Sequence, residues 1–140
     1  MIRLSRFLIP ILLLFPATAL AQDEQKPDPI DKQLEACMAK DGSTAGSVAC
    51  TDKASSAWDT ELNKAYTALM AKMNAEGKLS LKTAQLSWIK YRDTEFKLLD
   101  AMHSRLQGSM YIPMEAATKM DVVKQRAVQL RNYLELAGDF

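Results

Sequence analysis

Leu81-Lys82-Thr83-Ala84-Gln85-Leu86-Ser87-Trp88-Ile89-Lys90-Tyr91-Arg92-Asp93 is the stretch that decides the fold class. Leu81, Gln85, Trp88 and Arg92 recur at steps of four, three and four, and Glu95, Leu99, Met102 and Leu106 prolong the pattern. Such steps keep residues on one face of an α-helix, whereas a half-buried strand needs a period of two. Ser80 is placed to cap this helix, and Gly108-Ser109 breaks it after about Leu106. Upstream, Trp58, Leu62, Tyr66 (or Ala65), Leu69 and Met73 share a face of a helix expected from Thr44 to Ala75. Gly77 sits just past its end, where glycine takes a left-handed backbone most easily. A short helix from Ile30 to Lys40 comes before it, across the turn Asp41-Gly42-Ser43. Downstream, Pro113 suits a first helical turn, and Met120, Val123, Ala127, Leu130 and Leu134 keep a three-four spacing as far as Gly138. Short links favour antiparallel neighbours. The expected fold is all-α: an antiparallel bundle of three long helices plus one short N-terminal helix tied on by a disulfide.

The N-terminus reads as an export signal. Arg3 and Arg6 precede an apolar run from Phe7 to Phe15, and Ala19-Leu20-Ala21 has the small-x-small form of a cleavage site. The run is well short of the roughly 20 residues that span a bilayer. No cysteine follows the cleavage point, so no lipid anchor is expected. Residues 1–21 are then a signal peptide, and residues 22–29, acidic and without an aromatic, a disordered leader. Residues 30–138 form a single domain. The compartment is the periplasm or the exterior, with no stable membrane insertion after cleavage.

Charge narrows the partner classes. The chain has 18 basic and 17 acidic residues. Loss of Arg3 and Arg6 leaves the mature part near −1, too close to neutral for phosphate counterion release to drive nucleic-acid binding. From Gln22 to Leu62 acids outnumber bases by five, and from Asn63 to Phe140 bases outnumber acids by four. Such asymmetry can steer a charged protein partner.

Cys37 and Cys50 are the only cysteines, and in an exported chain they form a disulfide by default. The spacing is not that of a redox pair, and a single histidine, His103, leaves no metal site to assemble. No cofactor is expected. Neither a G-x-S-x-G elbow nor an H-E-x-x-H helix occurs, so the chain does not read as an enzyme. The methionines, among them Met70, Met73, Met102 and Met120, are better read as gap-filling core than as copper ligands.

Two blocks carry more polar chemistry than an apolar stripe requires: Trp58-Asp59-x-Glu61-Leu62-Asn63-x-x-Tyr66 and Ala84-Gln85-x-x-Trp88-x-x-Tyr91-Arg92-Asp93. The favoured reading is structural. Asp59, Asn63, Gln85, Arg92 and Asp93 would satisfy one another between the second and third helices, Arg92 pairing with Asp59 or Asp93, beneath Trp58, Trp88 and Tyr66. The functional reading is a groove that contacts a glycan or a protein. With Cys37 and Cys50 upstream, Gly108-Ser109-Met110 between helices and Arg126-x-x-x-Leu130 near the end, these blocks resemble the LprI-like lysozyme-inhibitor family. Where many members carry a further cysteine pair, this chain has Phe96 and no cysteine in its last helix. The resemblance implies an exported helical domain that binds and inhibits lysozyme by occupying its cleft. Asp59, Asn63, Tyr66, Gln85, Trp88, Arg92 and Asp93 would be its contact candidates, and Ser109, Tyr111 or an arginine would enter the cleft. An envelope adaptor, or an immunity protein against a wall-degrading toxin, binding through the helix-two/helix-three face, is the alternative.

Overall fold

In a computed structural model the described residues are 27–138, so the expected signal segment and most of the expected leader lie outside them. Four helices account for nearly all of this span: α1 (Pro29–Met38), α2 (Thr44–Lys72), α3 (Ala75–His103) and α4 (Tyr111–Leu136). The described residues contain no strand, and none of these helices is long and apolar enough to cross a membrane.

Each of the first three helices starts on a side-chain cap. Asp28 accepts from the Ile30 amide at 2.9 Å with Pro29 in the first turn, Ser43 from Gly46 at 3.0 Å, and Asn74 from Gly77 at 2.8 Å. The last of these corrects the sequence reading. Gly77 does not close α2, and Ser80 does not cap α3. The break falls at Met73-Asn74, because the Asn74 side chain supplies the acceptor that starts α3 six residues ahead of the cap expected at Ser80. The turn from α3 to α4 is where expected, with Gly108 at φ +116°, a conformation that costs other residues strain.

The core is built mainly by α2 against α4. Ala54, Trp58, Leu62, Ala65 and Leu69 of α2 mesh with Met120, Val123, Ala127 and Leu130 of α4. Alanines opposite large side chains let the two backbones approach, and Trp58, Leu62, Leu69 and Leu130 are almost wholly buried. Fully burying one such side chain is worth roughly 1.5–3 kcal/mol. α1 packs on α2, and the Cys37–Cys50 disulfide joins them with Cα atoms 5.7 Å apart. α3 adds Leu81 to the core but leans on α4 and hardly approaches α2. Along α3, Gln85 meets Arg126 and Asp100 meets Lys119, so α3 and α4 run in opposite senses.

Candidate functional site

The two polar-aromatic blocks are not brought together. On α2, Asn63 Nδ2 donates to its own helix, to the Asp59 carbonyl at 2.8 Å and the Asp59 carboxylate at 3.0 Å, and both residues are exposed. On α3, Arg92 Nε and Nη2 donate to Asp93 Oδ1 at 2.9 and 2.7 Å. The Arg92 guanidinium also lies 5.5 Å from the centre of the Trp88 ring. These are local pairs on separate helices. Of the two partners expected for Arg92, Asp93 is the one it pairs with and Asp59 is not, because α2 and α3 hardly pack. Trp88 and Tyr66 are half-buried against the core, while Trp58 is fully buried.

Among the described residues, Gln85 is the one candidate whose side chain hydrogen-bonds to another long helix. Its Oε1 accepts from Arg126 Nε at 3.0 Å, and Gln129 accepts from Arg126 Nη1. Arg126 is only 8% exposed, no carboxylate pairs with it among the described residues, and its Nη2 is unpartnered. Burial pushes its pKa down. Sequence reading placed Arg126 only as part of the family ending. The usable signal was its position beside Val123, Ala127 and Leu130 on the apolar stripe.

A second set of residues, missed in the sequence, joins three helices around Trp58. Lys124 and Arg131 of α4 stand over the Trp58 ring, each 5.4 Å from its centre. Lys124 Nζ reaches Asp31 at 2.8 Å; Arg131 reaches Asp28 at 2.7 Å and Glu61 at 3.8 Å. Burial works to raise the Asp28 pKa, but the Ile30 amide and then Arg131 outweigh it and hold the carboxyl below its ordinary value. Two acids of the acidic first third are therefore spent on fastening α1.

The remaining candidates, Ser109 and Tyr111, lie where α3 turns into α4. Ser109 is exposed and Tyr111 partly so. Around them Leu106, Met110, Ile112 and Met114 are 46–61% exposed. From Ala101 to Met114 there is no acidic residue, and exposed Arg105 forms no ion pair among the described residues. At the base of the turn Lys119 binds Asp100 of α3 and Glu115 of α4, which raises its own pKa and lowers that of Asp100. A hollow of about 360 Å³ there is lined by the apolar Val48, Phe96, Ile112 and Ala116 and by Ser55, Asp52, Glu115 and Lys119 itself. The turn is thus a braced, apolar and weakly cationic projection. No group of three or more His, Cys, Asp or Glu side chains able to hold a metal occurs among the described residues.

Comparison with known proteins agrees with this architecture. A family model described as lysozyme inhibitor LprI matches residues 36–130. The crystal structure of an uncharacterised protein from Burkholderia thailandensis is similar at 30% identity and a TM-score of 0.77, over 81% of this chain and 57% of that one. This chain therefore spans a little over half the length of that relative. No curated protein matches it.

Proposed function

The chain belongs to the LprI family of lysozyme inhibitors, and from that membership we propose that it is an exported protein that inhibits a lysozyme-type wall hydrolase with its α3–α4 turn. The observation that carries this reading is the projection itself: Leu106, Met110, Ile112 and Met114 exposed around Ser109 and Tyr111, with Arg105 and no acid between Ala101 and Met114. A glycosidase cleft holds two carboxyl groups flanked by sugar-binding walls. Apolar and aromatic side chains suit the walls, and a cation suits the carboxylates. The exposed acids left on the N-terminal half, Glu35, Asp41, Asp52 and Asp59, would steer a basic enzyme toward the molecule.

Loss of turbidity of wall suspensions under c-, g- and i-type lysozymes, with and without the purified protein, tests the proposal. Slower clearing with at least one type is expected, and full clearing rates with all three overturn it. A second reading, an adaptor or immunity protein, is favoured by the thin packing of α2 and α3, which leaves Asp59, Asn63 and Asp93 exposed. Under that reading, charge reversal at Asp59 and Asp93 abolishes partner capture, and turn variants do not.

A further inference from the structure

Along the seam of α1 and α2 runs a groove of about 320 Å³. Ile30, Leu34, Ala54 and the Cys37–Cys50 disulfide line it, and the exposed Lys40 and Lys53 border it. α1 is covalently fastened across this seam, yet none of its residues is fully buried. Ile30, Leu34 and Cys37 stay half-buried, and Ala57 opposite is too small to close the gap. No carboxylate lines the groove, and neither lysine enters an ion pair among the described residues. The leader does not suit it: residues 22–26 carry no apolar side chain.

An apolar trough whose only charges are two free cations is complementary to one acyl chain ending in a carboxylate. We propose that this groove binds an unesterified medium-chain fatty acid, its tail against Ile30, Leu34 and Ala54 and its carboxylate between Lys40 and Lys53. At about 320 Å³ the groove is at the small end of ligand sites, sized for a single chain. No residue of the groove belongs to α3, α4 or their turn, so the site lies apart from the turn proposed to contact lysozyme.

The test uses protein purified from the periplasm and stripped of lipid, titrated with octanoate, decanoate, dodecanoate and decyltrimethylammonium below their micelle concentrations. Amide shifts should cluster between Ile30 and Ala57. Affinity should rise about fourfold per added methylene and level off once the groove is full. Decanoate should bind several-fold tighter than the cationic amphiphile. The Lys40→Gln/Lys53→Gln pair should erase that preference at an unchanged melting temperature, and Ala57→Trp should block binding. Absence of saturable binding, equal affinity for anion and cation, or shifts centred on Leu106 to Met114 would each overturn the proposal, the last showing only detergent-like contact with the exposed turn.

Discussion

Arg126 and Arg92 show how differently two guanidinium groups on neighbouring helices are held. Arg126 is desolvated with only the amides of Gln85 and Gln129 as partners. A buried charge without a counter-charge is costly, and an apolar replacement of similar volume is often neutral or better. Arg126→Met is therefore expected to leave stability unchanged or to raise it by up to about 2 kcal/mol. Chemical denaturation measures this, and a loss beyond about 3 kcal/mol would show that the two amide bonds outweigh desolvation. Arg92 is the opposite case, a partly exposed partner of its sequence neighbour Asp93 that also stacks near Trp88. Arg92→Ala should cost about 1 kcal/mol, not the roughly 3–5 kcal/mol of a broken buried pair. A thermal melt decides between the two. The sequence could not distinguish these arginines. Each sits at helical spacing beside apolar residues, and spacing reports the face a residue shares, not which helix covers that face.

At the scale of elements, α1 is the part held least by burial. It contributes no fully buried side chain and is retained by the disulfide, Asp28–Arg131 and Asp31–Lys124. Replacing both cysteines by alanine is expected to cost about 3 kcal/mol for a loop of this length. Faster hydrogen exchange confined to α1 would mark local release before global unfolding. Acid should act on the same element. The Asp28 carboxyl has a folded pKa below its unfolded value of 3.8. Its contribution is thus fully present above that value and is lost as pH falls through the lower folded value. α1 should loosen below about pH 4, and Asp28→Asn should abolish the acid step seen by exchange in α1. The four helices and the cysteine pair were legible because three-four spacing and export context are local signals. The α2–α3 junction was not, since Gly77 and Asn74 both mark helix ends and only the cap geometry tells which is used. The ties from α1 to α4 were also illegible: Asp28 and Arg131 are over a hundred positions apart, and nothing local relates them.

At the scale of the whole molecule, charge and apolar surface are separated along the chain. The acidic N-terminal half spends Asp28 and Asp31 internally, whereas the turn between α3 and α4 keeps its apolar side chains and Arg105 unpaired. That division assigns different kinetic roles. Remote exposed acids change encounter rate and its salt dependence, while side chains inside the contact change dissociation. Glu35→Gln/Asp52→Asn should slow association with a basic lysozyme and flatten its response to salt, with little effect on dissociation. Tyr111→Ala and Arg105→Glu should instead speed dissociation at least tenfold. Tyr111 is only partly buried and Arg105 unpaired, so both variants should keep the melting temperature within a few degrees. Surface-coupled binding kinetics at two salt concentrations, read beside a thermal melt, separates these effects. If Arg105→Glu leaves dissociation untouched while the Asp59 and Asp93 charge reversals raise it, the contact lies on the α2/α3 side and the turn is not the inhibitory element.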